Sequence, residues 1–271
     1  MADKSRVQNL RSIAIKDAIT CFYYMMFWVL VIFCVTSIGS CHWLASLISS
    51  QSDSIQRRWA SIGGGAGLGY LFVHLLPELT SGGATISQAA GMHSYVPSAP
   101  TESLLFLIVL LGVLIPYALG VISTQNPSSA QWTGIIRLAL FSLVSYLYAY
   151  SLPSLLTTGI SYGLLYTVAI SAHVLLADRV LDQNHRQAFR HRFRWLGSFA
   201  LILGTIHAAV FHPISDLTLA VTTAFIGGGL LISVFREELP NPNQSRLCWF
   251  FFGLITMITL LLLATAKHAH S

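Results

Sequence analysis

Charge is what this sequence has least of. Only 9% of its 271 residues are Asp, Glu, Lys or Arg, against 54% hydrophobic. A soluble domain carries about 25% charged residues, so a water-facing surface cannot be covered from this supply. Lipid as the surrounding solvent removes the difficulty, because most outward side chains can then be apolar. Alternating ten-residue segments are also missing, which excludes a membrane β-barrel. Cysteines are few, Cys21, Cys34, Cys41 and Cys248, and form no CxxC pair. That excludes a disulfide framework or zinc knuckle, and the thiols read as small apolar groups. The sequence has no HExxH, which excludes the zinc-hydrolase arrangement that needs it, and the chain reads as a non-enzyme. No lysine lies inside an apolar stretch, which excludes a retinal Schiff base.

What is present is a series of apolar stretches about twenty residues long or longer. They predict an all-α, polytopic membrane protein of about eight transmembrane helices. A polar N-terminal segment, residues 1–20, precedes a single helical domain over 21–266. The helices are expected near 21–48, 59–79, 103–123, 134–152, 154–180, 195–211, 217–235 and 247–266. The first stretch is too long for the 7–15-residue core of a signal peptide, so it stays a helix. A Gly-, Ser- and Pro-rich loop is expected from Thr80 to Glu102, a break at Pro153, a charged connection from Asp178 to Arg194, and a tight turn at His212, Pro213 and Asp216.

The net charge of +5 does not point to nucleic acid, because the basic residues sit in short blocks between apolar stretches. The loops after the first, fifth and seventh helices contain arginine, while those after the second, fourth and sixth contain no Lys or Arg. The positive-inside rule puts the odd-numbered loops in the cytoplasm and both termini outside. Lys4, Arg6, Arg11 and Lys16 in the N-terminal segment run against that assignment. The expected location is the plasma (inner) membrane.

An internal repeat is visible. The second helix reads Gly64-Gly65 and then, eleven residues on, Leu76-Pro77. The seventh reads Gly227-Gly228 and then, at the same spacing, Leu239-Pro240. The charge pattern sends these two helices across the membrane in opposite directions, as inverted-repeat transporters do.

These residues carry a resemblance. The stretch GAGLGYLFVHLLPEL, Gly65 to Leu79, resembles the second helix of the zinc/iron permease-like, or ZIP, family of metal transporters. FIGGGLLISVFREELP, Phe225 to Pro240, resembles that family's seventh. The resemblance implies an inverted-repeat bundle, a divalent metal (zinc or iron) as substrate, and a site on the fourth and fifth helices. On the fifth, HVLLAD matches the family's motif at His173 and, one methylene shorter, at Asp178. Val174 and Ala177 stand where further ligands belong. On the fourth, FSLVSY keeps only Ser142 as a polar match, with Phe141 and Ser145 in ligand positions.

Ionisable residues inside membrane helices are functional suspects. His173 and Asp178 are the candidate metal ligands. His74, Glu78, His207 and Ser142 are candidate pathway residues, with His212 a further donor. Arg137 is expected to snorkel, and the segment Arg186 to Arg194 to meet lipid headgroups. No resident cofactor is assigned. The partners expected are the bilayer, a metal ion or small solute, and a second copy in a homodimer, with no nucleic acid. The competing readings are a non-transporting sensor, scaffold or partner subunit, and a haem protein ligated by paired histidines.

Overall fold

A computed structural model of the chain describes residues 2–89, 99–125, 130–184, 186–211, 214–238 and 246–269. Eight helices run through these residues. They are α1 (Ala2–Ser49), α2 (Asp53–Tyr70, a π turn Leu71–Leu75, then Leu76–Ala89), α3 (Ala99–Gln125) and α4 (Ala130–Thr158). After them come α5 (Ile160–Asn184), α6 (Arg186–Ala188, a π turn Phe189–Phe193, then Arg194–Phe211), α7 (Asp216–Ser233, then a π turn Val234–Glu238) and α8 (Leu247–Ala269). Seven of the helices are long and apolar enough to cross a bilayer, and α8 contributes a shorter apolar stretch, Leu247–Leu263. Large apolar side chains point outward along them, Phe33 at 63% exposure and Val210 at 68% among many. Water does not tolerate so continuous an apolar surface. The chain is an integral, multi-pass membrane protein.

Several boundaries differ from those read in the sequence. The polar segment 1–20 is not separate, since α1 is helical from Ala2. Helix α2 continues to Ala89, through half of the expected Gly/Ser loop. Pro153 lies inside α4 rather than ending it. Membrane helices tolerate proline better than soluble ones do, and this one runs on to Thr158. The break falls at Gly159, between α4 and α5. The charged stretch from Asp178 is mostly helix, the end of α5 and the first turns of α6. The expected turn at His212 and Pro213, and the Leu239-Pro240 end of the repeat, lie outside the described residues.

The helices form two bundles. In one, α1 packs along α5 and α4 along α6, with α4 and α5 side by side. In the other, α2 packs along α8 and α3 along α7, with α2 also touching α3 and α7. Contacts between the bundles are sparser and run mainly through α2 with α5 and α3 and α7 with α4. Helices α2 and α7 are antiparallel: Gly82 lies at Ala220, whereas Leu75 and Leu79, earlier in α2, lie at Gly227, later in α7.

The close packing repeats. A Cβ on Gly65 would overlap the Phe250 carbonyl, and one on Gly253 the Ile62 carbonyl, so α2 and α8 meet backbone to backbone. A Cβ on Gly228 would overlap the Val109 carbonyl, and one on Gly112 the Phe225 carbonyl. The displacement that carries Gly65 to Gly228 also carries Ile62 to Phe225; that carrying Gly112 to Gly253 also carries Val109 to Phe250. The α2·α8 pair is therefore the α7·α3 pair repeated. Small residues are what allow such approach in lipid, where no hydrophobic force draws helices together. The π turns obey the same relation, each beginning six residues after its second glycine.

Candidate functional site

Between the two bundles, at the end that carries the α3–α4, α5–α6 and α7–α8 connections, lies a cavity of about 340 Å³. Small-molecule sites generally span about 300–1,000 Å³. Its walls come from α3, α4, α5 and α7, with His42 of α1 and Phe193 of α6 closing one side.

The polar centre of this region is a buried pair. His42 Nδ1 and Asp178 Oδ2 are 2.5 Å apart, and both residues are almost wholly buried. A carboxylate in an apolar interior is costly unless paired, and the imidazole supplies the partner. The sequence places His42 on α1, far from Asp178, and α6 makes the room for it. Phe141 lies against the imidazole at 5.4 Å, and a Cβ on Gly197 would come within 2.8 Å of His42 Nε2. That Nε2 has no hydrogen-bond partner among the described residues.

One turn further along α5, Asp182 is also fully buried. Arg190 binds it with Nε at 2.9 Å and Nη2 at 3.2 Å, and Ser49 of α1 donates to it as well. This tie fastens the α5–α6 hairpin to α1. The segment expected only to meet headgroups thus has structural duties: besides Arg190, Arg194 stacks on Trp43 at 4.4 Å.

Two guanidinium groups reach the cavity beside the same turn of α3. Arg137 Nη2 of α4 donates to the Leu119 carbonyl at 3.4 Å, and Arg236, in the π turn of α7, lies where a Cβ on Gly120 would be 3.3 Å from its Nη1. Both line the cavity.

The residues singled out in the sequence do not gather at one point. His173 and Asp178 share this cavity, His173 lying edge-on to Tyr148 at 6.3 Å. His74 pairs within its own helix with Glu78 at 3.2 Å and packs on Tyr70 and Tyr162. His207 is hydrogen-bonded to Tyr146 and stacks near Tyr150. Ser142 donates to the Leu138 carbonyl of its own helix at 2.9 Å. His212 lies outside the described residues. Among the described residues, no three His, Cys, Asp or Glu side chains form a group able to hold a metal ion. Zinc takes four such ligands in a closed site and three in an open one, so the donors described here do not assemble a zinc-type centre.

Three positions that line the cavity have repeat counterparts that line a second space. Gly229, Ser233 and Pro116 line the open cavity; the repeat carries them to Ala66, Tyr70 and Met257, which line a space of about 10 Å³ between α2, α5, α7 and α8. That is barely room for one water. His173 lines both spaces. A third cavity of about 210 Å³, at the opposite end of the molecule, is bordered by Glu78, Thr85, Asp216 and Thr223.

The chain was compared with known protein families and with curated proteins: no family model matches it, and no curated protein does.

Proposed function

We propose that this chain is a membrane transporter of a small solute that works by alternating access, one helix bundle moving against another that contains the inverted repeat. One observation carries the reading. The α7·α3 pair and its repeat, the α2·α8 pair, each help to wall a space, yet one space is open at about 340 Å³ and the other is shut at about 10 Å³. Inverted repeats give a transporter two such states by exchanging the conformations of its halves. The closed space is then the access route of the other state, and His173, which borders both, stands where the solute changes sides.

With the odd-numbered loops in the cytoplasm, the open cavity faces inward. Rocking of the α1/α4/α5/α6 bundle against the α2/α3/α7/α8 bundle would close it and open its counterpart. Close glycine contacts lie inside both bundles, with Gly204 against the Tyr146 carbonyl in the first, and suit each to move as a unit.

The resemblance to metal transporters makes a divalent cation one cargo to test. The donor set around Asp178 argues for a different cargo, since its carboxylate is already held by His42.

Locking the bundles tests the reading. Leu176 of α5 packs onto Gly63 of α2, so the pair Gly63→Cys and Leu176→Cys, made in a chain with Cys21 and Cys248 replaced by serine, joins the bundles when oxidised. Uptake of zinc, ferrous iron and octanoate is then measured in proteoliposomes. Uptake of at least one that stops on oxidation and returns on reduction supports transport by relative motion. Uptake that continues through the crosslink, or none for any solute tried, removes the proposal in favour of a non-transporting role.

A further inference from the structure

We propose that the open cavity binds a monoanionic, largely apolar organic molecule, a short- or medium-chain carboxylate in kind, with its charged group between Arg137 and Arg236. As the cargo of the transporter this inference rests on the reading above; as a ligand of the cavity it stands by itself.

The charge around the cavity selects the sign. Among its described lining residues, Arg137 and Arg236 are permanent cations and Asp178 is the one carboxylate. Asp178 holds His42 at 2.5 Å, so its charge is satisfied within the protein wall. A dication entering this space meets two guanidinium groups and a carboxylate already engaged. A monoanion meets the reverse: two planar, always-charged forks whose geometry matches a carboxylate.

The position of the arginines is set by the fold. Leu119 and Gly120 are adjacent on α3, and the two guanidinium groups reach that same turn from α4 and α7. Gly120 leaves the space that the Arg236 head occupies. The π turn Val234–Glu238 brings Arg236 there, an inserted-residue device common where a helix must re-aim a functional side chain.

The remaining wall selects the body of the ligand. Beyond the arginines it is formed by apolar side chains, Phe141, Val144, Phe225, Ile226 and Ile232 among them. Such a wall offers a strongly hydrated inorganic ion little in place of its water, whereas an alkyl or aromatic body gains burial at each carbon.

The experiment is a binding titration on the full chain in phosphatidylcholine nanodiscs, with octanoate, octanol, octylammonium and zinc chloride as probes. Octanoate is expected to bind saturably, and octanol and octylammonium at least about ten-fold more weakly, because a charge-assisted hydrogen bond is worth that factor or more. Arg137→Gln and Arg236→Gln should each weaken octanoate by about ten-fold or more while leaving octanol unchanged. Arg58→Gln removes a charge that stacks on Trp249, away from the cavity, and should change nothing. Arg137→Lys and Arg236→Lys serve if a glutamine variant fails to fold, and should retain part of the affinity. Nanodiscs containing phosphatidylglycerol separate the two sources of such an anion. Loss of octanoate binding there keeps the chemistry and assigns the occupant to an anionic lipid; undiminished binding assigns a free carboxylate.

Octanol binding as tightly as octanoate, or zinc displacing octanoate from the cavity, overturns the inference, and so do unchanged affinities in both arginine variants. Octanoate binding without uptake in proteoliposomes defeats transport of this ligand and leaves the binding site standing. Zinc uptake abolished by His173→Ala, with no carboxylate bound, defeats the inference and leaves transport standing.

Discussion

Gly65 and Gly228 occupy the same place in the two halves of the protein, each pressed against a main-chain carbonyl of the neighbouring helix, Phe250 for one and Val109 for the other. A side chain at either position would have to push two helix backbones apart. Gly65→Ala and Gly228→Ala should therefore each destabilise the protein by about 1–3 kcal/mol or more, the range for overpacking a close-packed interior. Gly134 has nothing within 4 Å of where its Cβ would lie, and Gly134→Ala should gain about 0.5–1 kcal/mol of helix propensity instead. Thermal unfolding in detergent distinguishes them. Equal melting shifts of one sign for all three would mean that the glycine contacts are not what holds α2 to α8 and α3 to α7.

The His42–Asp178 pair gives a second test. Removing one partner from a buried ion pair costs about 3–5 kcal/mol, because the other charge is left without compensation. His42→Ala should show that loss in a chemical unfolding titration. Asp178→Asn, which keeps a polar partner for the imidazole, should cost closer to 1–3 kcal/mol. Adding Asp178→Asn to His42→Ala should recover part of the loss, since residues in direct contact are strongly non-additive. Additive costs in that cycle would show that the two groups do not stabilise one another.

The architecture was legible in the sequence because lipid leaves a loud signal: long apolar runs, few charges, and arginines gathered between helices. Half of the repeat was legible too, since Gly64-Gly65 and Gly227-Gly228 come with matching leucine and proline neighbours. The other half was not. Gly112 and Gly253 stand singly in apolar stretches, and only their approach to Val109, Phe225, Ile62 and Phe250 reveals that α3 and α8 correspond. Pro153 misled for a related reason, since a proline that ends a helix in water can sit inside one in a membrane. His173 and Asp178, singled out as metal ligands, both line the cavity, whereas His42 was not singled out. A signal for it existed. Asp178 and Asp182 share one face of α5 by i, i+4 spacing, and His42, Ser46 and Ser49 share one face of α1 by i, i+4, i+7 spacing. Two acids inside a membrane helix demand polar partners on another helix, and that face of α1 is the match. Which helix supplies it is a matter of tertiary contact, and no local pattern states it.

Asp182 and Arg190 form the tie at the end of the α5–α6 hairpin. Asp182 is fully buried, and Arg190 is about one third open to solvent at 35%. Loss of a hydrogen bond to a charged group costs about 1.5–3 kcal/mol, and solvent access at Arg190 puts this pair near the lower figure. Arg190→Gln should show that loss, whereas Arg186→Gln, an exposed neighbour, should stay within about 0.5 kcal/mol. Limited proteolysis of the hairpin in detergent should follow the same order. Equal behaviour of the two variants would return Arg190 to the part of a headgroup anchor.

The asymmetry of the two spaces can be read directly by thiol labelling. Gly229 borders the open cavity, and a Cβ added there would lie at an ordinary contact distance, 4.0 Å, from the Gly112 carbonyl oxygen. Its repeat counterpart Ala66 borders the closed space. Gly229→Cys and Ala66→Cys each add only a few atoms, and Cys21 and Cys248, the exposed native thiols, are first replaced by serine. A membrane-impermeant maleimide applied from the side of the odd-numbered loops should label Gly229→Cys readily. Ala66→Cys should label only from the other side, and only as often as its space opens. A minor conformer populated at about 0.1–10% makes that labelling about 10- to 1,000-fold slower. A solute bound in the open cavity that favours its present conformation should slow Ala66→Cys further and leave the rank order intact. Labelling of both positions from the same side at comparable rates would mean that the two spaces do not belong to opposite faces, and alternating access between the halves would lose its basis.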